Sequence, residues 1–225
     1  MSQSKEQPHW HHWAQLVRMA LQPGPPVDPA ELLLVRDGNG RPYRMLEPPA
    51  GIIARQAAVL ILLYPTGADL HIPLTIRSHH LPNHRGEISL PGGAIDPTDQ
   101  NPAEAALREA NEEIGLDPQV VEIWGMLAPI YTAPSNFQIT PVVGMATHAP
   151  QLQINRNEVE AVITTTLREL IDPATVRAEP RVLRGYEAIV PFFDIAGQKV
   201  WGATAMILSE LVARMRRSNA VGQIF

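Results

Sequence analysis

Three glutamates, Glu109, Glu112 and Glu113, stand at i, i+3 and i+4 in the run Arg108-Glu109-Ala110-Asn111-Glu112-Glu113. On a helix this spacing puts them within roughly 100° of one face. Like charges so close weaken an isolated helix by roughly a few tenths of a kcal/mol per pair. Their place in the last turn adds a second cost, because a helix C-terminus carries partial negative charge. A divalent cation is the simplest compensation, and carboxylate oxygens suit a hard ion such as Mg²⁺ or Mn²⁺. Arg108 can tie one of the acids down through a bidentate pair. A solvated acidic face is the plainer alternative. Against it stands Gly92-Gly93, which follows a short strand and permits close approach of backbone to a ligand or metal.

The acids need a helix to carry them. Residues 102–114 supply it: Asn101 can cap, Pro102 suits the first position and Gly115 stops the helix. Ala103, Ala106, Leu107, Ala110 and Ile114 fall at helical spacing. Upstream, residues 57–63 read as a buried strand, 66–69 as a turn and 70–76 as the partner strand of a hairpin. A polar loop over 77–87, with His79, His80, His84 and Arg85, leads to a short strand ending at Leu90 and then to Pro91-Gly92-Gly93. Further strands are expected around 120–127, 139–146, 160–165 and 186–190, with helices over 10–21, 167–171 and 204–216. Without regular βαβ alternation, this order predicts an α/β (α+β) fold in which helices flank a mixed sheet. The expected layout is a helix and proline-rich arm over 1–50, one catalytic domain over 51–217 and a tail over 218–225.

Composition narrows the function. Hydrophobic residues make up 45% of the 225 and charged residues 18%, enough for a sizeable core. The net charge of −5 argues against a nucleic-acid coat, but a small phosphate substrate needs only a few local arginines. The absence of cysteine excludes disulfides, thiolate zinc sites and a cysteine nucleophile. The polar start does not read as a signal peptide, and the longest apolar stretch, 57–64, is far short of the roughly 20 residues of a membrane span. A cytoplasmic protein with no membrane partner is expected.

The run Gly93 to Leu116 resembles the signature of the Nudix hydrolases, G-x5-E-x7-R-E-U-x-E-E-x-G-U with U aliphatic. Arg108, Glu109, Ala110, Glu112, Glu113, Gly115 and Leu116 match its second half. The first half departs. Counted back from Arg108, the family glutamate falls on Gln100 and its glycine on Ala94; counted forward from Gly93, the acid falls on Asp99. The resemblance implies a Nudix-type α/β/α sandwich and metal-dependent hydrolysis of a nucleoside diphosphate linked to another group. It casts Glu109, Glu112 and Arg108 as catalytic. Glu109, Glu113, Glu112 and the Gly93 carbonyl become ligands of Mg²⁺ or Mn²⁺, with Glu158 or Glu160 as a further acid.

One branch, the coenzyme A pyrophosphatases, is also similar. Thr75-Ile76-Arg77-Ser78, Gly86 and Leu90-Pro91-Gly92-Gly93 resemble its motif L-L-T-x-R-S-x3-R-x3-G-x3-F-P-G-G, with departures at Pro73, Pro82 and Leu90. Pro141-Val142-Val143-Gly144 and Trp201-Gly202-Ala203-Thr204-Ala205 resemble branch features too. This implies coenzyme A or acyl-CoA as substrate, 3′,5′-ADP and 4′-phosphopantetheine as products, and Arg77, Ser78, His84 and Arg85 as substrate contacts. The alternatives are a Nudix hydrolase for ADP-ribose or dinucleotides, and a non-catalytic ligand-sensing module. Sensing modules usually lose signature acids, and all three glutamates are present here. His9, His11 and His12 do not share one helix face, so they read as a polar, flexible start rather than a metal site. Trp201 reads as a core aromatic beside a turn at Gly202. Trp10, Trp13 and the last helix are a candidate homodimer contact.

Overall fold

Strand β2, Arg55–Thr66, is apolar on both faces through its middle: Ala58, Leu60 and Leu62 alternate with Ile61 and Leu63, all almost fully buried. Such a strand must lie inside a sheet covered on both sides. In the structure, a computed structural model describing residues 10–42, 47–78, 86–183 and 185–222, that is its place. It pairs in parallel with β8, Phe137–Ala146, and turns back into β3, Asp69–Arg77. On the far side of β3 lies β9, Val159–Thr166, and on the far side of β8 lies β6, Val121–Met126, both antiparallel. Three short strands complete this mixed sheet: β4, Ile88–Ser89, against β3; β5, Gly92–Ala94, against β2; and β7, Ile130–Thr132, against β8. A smaller antiparallel sheet joins β1, Arg36–Asp37, β10, Val176–Leu183, β11, Tyr186–Ile195, and β12, Gln198–Trp201.

The alternation along β2 assigns the layers. Ala58, Leu60 and Leu62 meet Ala105, Ala106, Ala110 and Ile114 of α2, Pro102–Ile114. Ile61 and Leu63 point the other way, into a core with α1, Trp10–Ala20, and α4, Gly202–Gly222. Each buried leucine or isoleucine contributes roughly 1.5–3 kcal/mol. The expected α/β/α sandwich around a mixed sheet is therefore the architecture.

Several elements differ from expectation. The candidate dimer contact is altered by Trp13, which is only 2% exposed and sits in the chain's own core; it offers no outward surface. His11 and His12, read as part of a flexible start, lie on α1. Helix α4 extends through residue 222, into the stretch expected to be a tail. Strands β10 and β12 were not expected. The first alternates charged residues with apolar ones, Pro180 among them, a pattern that fits an exposed edge strand better than a core one. Helix α3, Leu167–Ile171, forms where expected, closed by a reciprocal cap between Thr166 and Glu169. The polar loop with His79, His80, His84 and Arg85 lies outside the described residues.

Candidate active site

Local chemistry fixes where α2 begins and ends. The Asn101 side chain accepts the N–H groups of Ala103 and Glu104 at 2.9 and 3.1 Å, and Pro102 follows it. Gly115 adopts the left-handed conformation at φ 64° and closes the last turn. With both ends set, Glu109 and Glu113 face β5. There the two glycines admit them in different ways. A Cβ on Gly93 would stand 2.5 Å from Cδ of Glu109, so the carboxylate fills the space a side chain at 93 would need. Gly92 lies at φ 152° and donates its N–H to Oε2 of Glu113 at 3.2 Å; a Cβ there would overlap the carbonyl oxygen of Ala58.

Arg108 organises the acids around it. Its Nε and Nη2 make a bidentate pair with Asp99 at 3.0 Å each, and Nη2 also donates to the Ala94 carbonyl at 3.1 Å. Nη1 reaches Glu109 at 3.0 Å and Glu112 at 3.3 Å. The hydrogen bonds from Arg108 hold the Asp99 carboxyl below the usual carboxylate range. Asp99, the acid found by counting forward from Gly93, is thus the anchor of the signature arginine.

Glu113 is 3% exposed. Burial pushes it up to about 7, against the opposing pull of the Gly92 N–H and the Arg77 guanidinium; the Glu109 and Glu158 charges push the same way as burial. Burial also raises Glu109, opposed by Arg108. These shifts have a sign in stability. The folded chain holds a proton on Glu113 to higher pH than the unfolded chain does, so raising pH above the ordinary 4.5 weakens the fold until about 7. At roughly 1.4 kcal/mol per pKa unit, the loss is on the order of 3 kcal/mol. Melting of metal-free protein should therefore move to lower temperature between pH 5 and 7.5, and Glu113→Gln should flatten most of that slope. An equal slope in the variant would refute this account of Glu113.

Beside the acids lies a cleft of about 400 Å³. Gly92, Gly93, Ala94 and Arg77 line one side; Thr132, Phe137 and Trp201 line another. Nη1 of Arg77 is 3.9 Å from Glu113, and its buried Nε has no hydrogen-bond partner among the described residues. Ser78 behaves differently: it is 3% exposed, donates its backbone N–H to the Glu158 carbonyl and is not among the cleft-lining residues. His84 and Arg85 lie outside the described residues. Of the two further acids expected, Glu158 acts electrostatically on Glu109 and Glu113, while Glu160 is exposed.

Trp201 has two roles where the sequence suggested one. It is half-buried, packs against the small core of Val35, Ala188 and Val190 as expected, and also lines the cleft, with the Arg181 guanidinium 4.9 Å over its ring. Its position depends on the pairing of β12 with β11, which no local pattern announces. Phe137 and Thr132 on the same wall also gave no sequence signal.

Comparison with known proteins agrees with the geometry. Residues 54–184 match the NUDIX domain. An uncharacterized Nudix hydrolase, NudL, of Enterobacter sp. (strain 638) is 38% identical over 161 residues, 72% of this chain and 83% of that protein. Its counterpart in Salmonella newport (strain SL254) is 37% identical over the same shares. A solved structure of a Nudix hydrolase from M. smegmatis, RenU, aligns with a TM-score of 0.48 and 19% identity, covering 84% of this chain and 93% of that one. The chain belongs to the Nudix hydrolase family, whose members act on nucleoside diphosphate-linked substrates.

Proposed function

We propose that this chain hydrolyses the diphosphate of coenzyme A, or of an acyl form of it, to 3′,5′-ADP and 4′-phosphopantetheine. The observation that carries the reading is Arg77. Strand β3 pairs with β4 through Thr75↔Ser89 and Ile76↔Ile88, so the Thr75–Ser78 segment lies against the residues leading into Gly92-Gly93. Arg77 then stands at the cleft beside Glu113 with a buried Nε lacking a described partner. A guanidinium so placed matches phosphate oxygens in a bidentate manner.

A divalent cation fits the residues present. Glu109 and Glu113 are desolvated carboxylates with raised proton affinity, set against glycines that leave them room. No three acidic or histidine side chains form a ready-made cage among the described residues; Glu109 and Glu112 instead turn onto Arg108. We assign Glu109, Glu113, Glu112 and the Gly93 carbonyl as ligands of Mg²⁺ or Mn²⁺. When bound, such an ion neutralises phosphate charge and lowers the pKa of water.

The chain's own part is positioning and proton transfer. Water adds across the P–O–P link: its oxygen bonds to one phosphorus, and the bridging oxygen leaves on the other phosphate. Glu112, half exposed and steered by Arg108, either holds a second metal ion or accepts the water proton. Arg77, with His84 and Arg85, holds the substrate phosphates.

The test is turnover of coenzyme A, ADP-ribose and dinucleotides with Mg²⁺ or Mn²⁺. Coenzyme A should give the highest kcat/KM. Faster turnover of ADP-ribose would overturn the assignment, and the departures at Pro82 and Leu90 make that the competing outcome to measure first. Inactivity toward every diphosphate, with metal present, would favour a sensing module.

A further inference from the structure

The cleft is chemically divided. Its charged lining residues are Arg77 and Glu87, and its glycine turn backs onto Glu109 and Glu113. The part of the lining formed by Trp201, Phe137 and Ile139 carries no charge. A diphosphate has no reason to bind along that wall, whereas an uncharged planar ring does.

Two features suit the wall to a ring. The guanidinium of Arg181 lies over Trp201 at 4.9 Å and that of Arg55 over Phe137 at 4.3 Å, so each ring is braced by a charge that is not itself part of the cleft lining. Both are also held on rigid elements. Gly202, at φ 69°, turns the chain from β12 straight into α4, and the Thr204 hydroxyl donates to the Ile88 carbonyl at 3.1 Å. That bond ties the Trp201 corner to β4, just ahead of Gly92-Gly93. Phe137 follows a turn pinned by Asn136, whose side chain accepts from Tyr131 and donates to the Ile53 carbonyl, each at 3.1 Å.

We infer that Trp201, with Phe137, forms the base subsite of this enzyme, against which the purine of the nucleoside diphosphate stacks. This deepens the proposed function. It rests on the family's nucleoside diphosphate chemistry, and not on coenzyme A being the substrate.

The test is calorimetric binding of AMP, inorganic pyrophosphate and pantetheine, with Mg²⁺ present, to wild type, Trp201→Phe and Trp201→Leu. Loss of a base–aromatic stack corresponds to roughly 5- to 150-fold in affinity. AMP should therefore bind Trp201→Leu at least about fivefold more weakly and Trp201→Phe nearly as wild type, with pyrophosphate unchanged in both. The inference is overturned if Trp201→Leu binds AMP as wild type does, if AMP and pyrophosphate weaken together, or if pantetheine alone weakens. Preferred turnover of ADP-ribose would end the coenzyme A assignment and leave this AMP result standing.

Discussion

Glu109→Gln should lower kcat by about 10³-fold or more while leaving the fold intact. The figure follows from the several kcal/mol that metal charge supplies to such reactions, at about 1.4 kcal/mol per factor of ten. The substitution keeps the side chain's shape against Gly93, so packing does not change. It removes a carboxylate that burial already penalises, so the melting temperature of metal-free protein at neutral pH should hold or rise. Loss of activity with unchanged or higher stability separates a catalytic group from a structural one. Activity within about tenfold of wild type would remove Glu109 from the ligand set.

The adjacent glycines should fail in opposite ways when each is changed to alanine. At Gly92 the new methyl would strike backbone, the Ala58 carbonyl and the Val59 Cα, in a central strand that cannot retreat. The φ of 152° adds strain for any residue with a Cβ. Gly92→Ala should cost more than about 3 kcal/mol in denaturant unfolding, or abolish soluble expression. At Gly93 the obstacle is the end of the Glu109 side chain, which can swing away. Gly93→Ala should change stability by less than about 1 kcal/mol yet lower kcat roughly 10²-fold, because the carboxylate is displaced. Similar stability losses in the two variants would contradict this division.

What could be read from sequence depended on how local the determinant was. Helix α2 was legible because Asn101, Pro102 and Gly115 mark its ends and its alanines mark its buried face. The central strand was legible because its apolar run admits no solvent face. The count from Gly93 picked out Asp99, but Arg108 was expected to make its bidentate pair with a helix glutamate; the pair with Asp99 needs the fold to bring the loop to the helix. Other features needed tertiary pairing. Ser78 is 3% exposed just beyond the end of β3, a burial that its place in a motif does not announce. Trp201 looked like core because it is aromatic, and only the β11–β12 register brings it to the cleft. Strand β10 was missed because its alternating charges resemble a loop when its partner is unknown.

Helices α1 and α4 together cover one face of the main sheet, yet both lie outside the 54–184 segment that matches the family. Chain order therefore has a consequence in time. During synthesis the strands from β2 to β9 emerge with α2 available for one face and α1 for part of the other. The remaining apolar surface, including Ile72 and Leu74, waits for the last helix to leave the ribosome. A nascent chain stalled before residue 202 would present that surface to chaperones or to its neighbours.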